Sequence, residues 1–73
     1  MIIDLVRTQW AWTWFMAECP LLKIPKSSDA DANRIAVVEW LNEQGIPAIW
    51  SDDHHTFFVD FPDEKAVWLK LKY

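Results

Sequence analysis

At 73 residues, 52% hydrophobic and 15% aromatic, with a net charge of −4, the chain suits one domain, 1–73, that buries only about 60–65% of its unfolded surface. Its lone cysteine, Cys19, excludes an internal disulfide, no spaced Cys/His set suggests structural zinc, and no apolar run approaches the ~18–20 residues of a membrane span. Between Ser28 and Glu64 nine acids stand against one base, a segment charge of −8, which excludes the basic footprint of a nucleic-acid binder and suits a basic protein partner.

The opening "MIIDLVR" predicts a strand, since Ile2, Ile3, Leu5 and Val6 are strand formers. Asp4 precedes the first base and the apolar stretch after it is short, so no signal peptide is expected here, and the chain is expected in the cytoplasm with a reduced thiol. Residues 9–17 read in two ways. As a strand they alternate Trp10, Trp12, Trp14 and Met16 with Ala11, Thr13, Phe15 and Ala17. As a helix they take Thr8 as N-cap and are apolar on all sides, which requires a central or covered position. The period of two favours the strand. In either case the tryptophans supply core bulk to a domain without disulfides, or an interface.

"CPLLKIPKSS" is a connection, kept extended at Cys19 and Ile24 by the prolines that follow them. A helix at about 29–44 comes next. Ser28 with Asp31 resembles a capping box, Ala30, Val37, Val38, Trp40 and Leu41 share one side, and Gly45 and Pro47 end it. Ala48–Ser51 and Thr56–Phe61 flank the polar turn "DDHH" and predict a hairpin, with Phe57, Val59 and Phe61 on one face and Phe58 and Asp60 on the other. "PDEKAVWLKLKY" predicts a short helix, with Pro62 in its first turn, acids at its start, lysines at its end, and Ala66, Leu69 and Tyr73 as its stripe. The expected fold is therefore α+β: a small antiparallel sheet of N-terminal strand(s) plus the hairpin at about 48–61, covered on one face by the helix at 29–44 and a short C-terminal helix.

"VVEWLNEQG" and the ending Asp63, Lys65–Ala66, Leu69, Leu71, Lys72, Tyr73 resemble a group of short tailed-bacteriophage proteins. These have a helix, a hairpin and an ending of the form acid–x–x–Ala–x–x–apolar–x–Leu–basic–aromatic. The resemblance covers about residues 32–73. It implies a phage origin and names no reaction.

Several side chains invite a chemical reading. His54 and His55 with Asp52, Asp53 and Cys19 are metal-ligand types, yet neighbours on a turn point apart, and a solvated turn is expected. Cys19 lacks a nucleophile motif. Asp60 with Asp63 or Glu64 could form an acid/base pair, but Asp63 and Glu64 already serve the helix start. One glycine in the chain leaves no phosphate loop. No catalytic residue, metal or cofactor is expected.

The remaining pattern is an acidic face. Glu39 and Glu43 repel each other at i, i+4, a small cost without local benefit. With Asp52, Asp53 and Asp60 they could imitate phosphates, with Phe58 as the aromatic anchor. The expectation is a non-catalytic, phage-encoded accessory protein that binds and inhibits or modulates a basic host or phage protein through Glu39, Glu43, Asp52, Asp53, Phe58 and Asp60. The alternative is a self-associating structural or virion-associated protein that uses the Trp-rich segment as a strand interface.

Overall fold

In the computed structural model, which describes residues 1–25 and 27–73, the elements run β1 (Ile2–Asp4), α1 (Gln9–Glu18), a 3₁₀ turn (Pro20–Lys23), α2 (Ala30–Glu43), β2 (Ala48–Ser51), β3 (Thr56–Asp60) and α3 (Asp63–Lys72). The sheet is antiparallel with order β1-β3-β2. α2 packs on β2 and α3 packs on α1, and the buried residues of all three helices meet Val59 and Phe61 in one core. The architecture is the expected small α+β domain. Part of the connection expected before α2, residue 26, lies outside the described residues.

The first strand is shorter than expected because Asp4 turns the chain. Its Oδ1 accepts hydrogen bonds from the backbone N–H groups of Val6 and Arg7, both at 3.1 Å, and from the Thr56 hydroxyl. Leu5 still donates to the Phe57 carbonyl at 2.9 Å, then the chain leaves the sheet. Partial burial pushes the Asp4 carboxyl up. The Thr56 hydroxyl and the Arg7 side chain and N–H overcome that effect and hold it below the ordinary aspartate value.

Residues 9–17 are not the strand that the alternation favoured but nearly all of α1. Ala11, Trp14 and Phe15 are buried and Cys19 follows them into the core, a spacing of i, i+3, i+4, i+8 that only a helix places on one side. Thr8 occupies the N-cap position without a side-chain cap bond, so tertiary packing rather than capping holds this helix. The large/small alternation favours the strand, but it does not exclude a helix. The burial of Ala11, Trp14 and Phe15 beside the exposed Thr13, Met16 and Ala17 fits only the helical period.

Rings fill that core. Trp14 packs against Trp40 and Phe61, with centroids 5.5 Å away in each case, Trp10 lies 5.2 Å from Phe61, and Trp12 stacks on Phe15 at 5.5 Å. Trp14 is only 5% exposed, while Trp10 and Trp12 are half-buried at the core's edge.

The two later helices start and stop near their predicted limits. The N-cap of α2 is Asp29 rather than Ser28, and its carboxylate accepts from the N–H groups of Asp31 at 3.0 Å and Ala32 at 3.3 Å. Pro62 stands at the N-cap position of α3, one residue before its first turn. At the end of α2, Gly45 donates to Asn42 O and Ile46 to Leu41 O, a Schellman closure in which the buried Ile46 and Leu41 form the accompanying apolar pair.

Gly45 has φ +78°, and a Cβ there would meet no atom within 4 Å. Gly45→Ala is therefore expected to destabilise by about 1 kcal/mol through backbone conformation alone, and Gly45→Asn by less. Urea denaturation of the three proteins checks this, and equal midpoints would refute it. Thr56→Val is expected to lower stability at pH 7 by about 1–2 kcal/mol, because Asp4 loses a donor to its charged form. Since the folded-state value of Asp4 is depressed, that stabilisation is complete at neutral pH and disappears as pH falls below ~4 and through the folded value. Unfolding of both proteins across this window should show the gap closing. A constant gap would remove Asp4 from the account.

Candidate protein-interaction surface

Strand alternation sorts the sheet's side chains. The register pairs Ile3 and Ala48 with Val59, and Trp50 with Phe57, on the inner face; it pairs Ile2 with Asp60, Asp4 and Ile49 with Phe58, and Ser51 with Thr56 on the outer one. The helices cover only the inner face. On the outer face Ile2 is 74% and Ile49 is 64% exposed, and Phe58 between their strands is half-buried.

One end of this face is closed by polar groups. Thr56 is fully buried beneath Asp4, and Arg7 bridges Asp4 Oδ2 at 3.0 Å and the His54 carbonyl at 3.1 Å. The His54 ring stands edge-on to Phe58 at 5.4 Å, and its Nδ1 lies 3.1 Å from Ser51 Oγ. His55 closes the turn at φ +50°. Phe58 is thus flanked by the turn at one end, while Ile49 and Ile2 remain open beside it.

The six expected contact residues do not form one plane. Phe58 and Asp60 lie on the outer face of β3, and Asp52 and Asp53 lie on the exposed turn that joins β2 to β3. Glu39 and Glu43 are exposed on α2, which packs against the opposite face of the sheet. Asp60 already accepts from the Met1 amino group at 2.9 Å, and Asp52 accepts from the Trp50 indole N–H at 2.7 Å. Among the described residues Asp53, Glu39 and Glu43 have no cation within ion-pair distance.

The groups weighed for chemistry are engaged elsewhere. Among the described residues, no three His, Cys, Asp or Glu side chains converge as metal ligands. Burial pushes the Cys19 thiol up, against backbone N–H groups of Leu21 and Leu22 that lower it, and the side chain is wholly buried. Asp60 and Asp63 converge on the Met1 amino group, at 2.9 and 3.5 Å, rather than on a cleft.

Two apolar surfaces escaped the sequence reading. Ile2 and Ile49 lie within predicted strand segments, and the alternation that exposes Phe58 applies to them only through the register. On α3, Val67, Trp68 and Leu71 are 58%, 58% and 84% exposed, opposite the buried Ala66 and Leu69. The i, i+1, i+4 spacing of those three was the available signal. No helix among the described residues is long and apolar enough to cross a membrane. Comparison with protein-family models, with curated proteins and with solved structures found no match for this chain.

Proposed function

We propose that the chain is a non-catalytic accessory protein that binds and inhibits a basic protein through the outer face of its sheet. The observation that carries this reading is the uncovered Ile49–Phe58–Ile2 face, with Asp52 and Asp53 on the turn at its end. Such a face fits a partner that presents an apolar side chain among lysines or arginines: apolar burial anchors it and the carboxylates steer it. A nucleic-acid-handling protein has that chemistry on the groove that takes phosphates, and occupying the groove blocks it. The resemblance of residues 32–73 to short tailed-bacteriophage proteins supports a bacterial host protein as the target. Glu39 and Glu43, on the other layer, contribute long-range field and not contact.

The test compares three tagged proteins in capture from bacterial lysate: the parent chain, Ile49→Lys, and the double variant Glu39→Lys/Glu43→Lys. Ile49 is exposed, so its replacement leaves the fold intact. One basic protein should be captured by the parent and the double variant, and its affinity for Ile49→Lys should fall tenfold or more. Equal capture by Ile49→Lys would move the interface away from the sheet.

A second reading, self-association, is favoured by the exposed side of α3. The tryptophans of α1 no longer offer a strand interface, but Val67, Trp68 and Leu71 form an apolar stripe on a helix with Asp63 and Glu64 in its first turn and Lys70 and Lys72 in its last. Two copies of α3 packed antiparallel about a two-fold axis would join the stripes and set each acidic end against a basic one. Under this reading sedimentation at micromolar concentration shows a dimer that Leu71→Lys dissociates. A monomer at all concentrations excludes it.

A further inference from the structure

A groove of about 550 Å³ runs along α2 between α1, the segment after the 3₁₀ turn and the inner edge of the hairpin. That volume falls within the ~300–1,000 Å³ of small-molecule sites. Its walls are apolar: Trp12 and Phe15 from α1, Leu22 from the connection, Val37 from α2, and Trp50 from β2. Space is left because α2 presents Ala30 and Ala36 there rather than larger side chains.

The polar groups at the groove are few and mostly satisfied. Asn33 accepts from the Ser27 N–H at 3.1 Å and donates to the Ser27 carbonyl at 2.9 Å, which pins the connecting segment to α2 and forms one wall. Among the described residues that line the groove, Arg34 is the only charged one, in a chain whose net charge is −4. Its guanidinium lies over the Trp50 ring, 4.4 Å from the centroid, which fixes its plane. Among the described residues only its Nη1 is engaged, by Asp31 at 3.0 Å, and that carboxylate is 83% exposed. An ion pair so exposed contributes little and exchanges readily, and the rest of the planar fork faces no acid.

We infer that this groove binds an apolar monocarboxylate of the fatty-acid class, with its chain or ring along Trp12, Phe15 and Val37 and its carboxylate on Arg34. The inference rests on charge and shape together. An apolar cleft with one oriented guanidinium and no lining carboxylate selects a monoanion with an apolar body over a neutral or cationic one. It is independent of the sheet's outer face, so either reading can fail without the other.

Sodium decanoate, kept below its micelle concentration, is the probe, and the six tryptophan indole N–H signals in a ¹⁵N–¹H spectrum are the readout. Saturable shifts are expected at Trp12 and Trp50, with Trp68, outside the groove, unmoved. Decanol should bind about tenfold more weakly than decanoate, and Arg34→Gln should reduce decanoate affinity by the same factor while leaving decanol unchanged. Ala36→Leu, which fills the groove with a good helix former, should abolish both. Absence of saturable shifts at Trp12 and Trp50 in the parent protein overturns the inference without recourse to any variant. So does equal affinity for decanoate and decanol. Concentration-dependent broadening of those two signals without ligand would put a second copy in the groove, and also overturns it.

Discussion

The ring of Trp14 is the contact on which the rest of the molecule depends. It joins α1 to α2 through Trp40 and to the junction of β3 and α3 through Phe61. A chain of this length, with one cysteine and no metal-ligand set among its described residues, must hold its first third to its last by side-chain packing and by the pairing of β1 with β3. Each aromatic pair contributes about 0.5–1.5 kcal/mol beyond the area it buries, and the pairs of Trp10, Trp12 and Trp14 share the same core. Tryptophan at these positions is therefore a consequence of size.

That core determines where everything else can go. Because α1, α2 and α3 all turn their buried residues toward Val59 and Phe61, they lie on one side of the sheet, and its other side is left to solvent. The Asp4 turn serves the same arrangement. By taking the N–H groups of Val6 and Arg7 it ends β1 after three residues and sends the chain across to the helical side. The hydroxyl of Thr56, from the far end of the sequence, holds the same carboxylate and so ties that turn to the hairpin.

Elements whose signals are local were legible in the sequence. Gly45 and Pro47 end α2 within two residues of its stop, and the alternation from Thr56 to Asp60 gives β3 its two faces without knowledge of any partner. Elements decided by distant contacts were not. The alternation of tryptophan with small residues at 9–17 favours a strand when read alone, and only packing against Phe61 and Trp40 settles it as a helix. The same distinction applies to the candidate surface. Phe58 was recognisable from its own strand, whereas its neighbours Ile2 and Ile49 needed the register. Glu39 and Glu43 joined the hairpin acids in one face only because a linear sequence does not show that α2 and the outer side of β3 are different layers.

The uncovered side of the sheet is forced by topology, but its composition is not. With all three helices committed to one core, a domain this small has no element left for the second face, and any residue compatible with a strand would fold there. Threonine, lysine or glutamate would give a solubilising surface at no structural loss. Ile2 and Ile49 instead leave apolar side chains 74% and 64% exposed beside Phe58. Nothing in the packing of the core requires them, since Ile3, Ala48, Trp50, Phe57 and Val59 already supply the inner face. The polar cover at one end shows that the chain can close this face where it does so: Asp4, Arg7 and His54 bury Thr56 completely. The cover stops short of Ile49. An apolar strip that the fold could have shielded, with Asp52 and Asp53 on the turn at its end and neither in an ion pair among the described residues, is the arrangement a contact surface needs and a purely structural sheet does not.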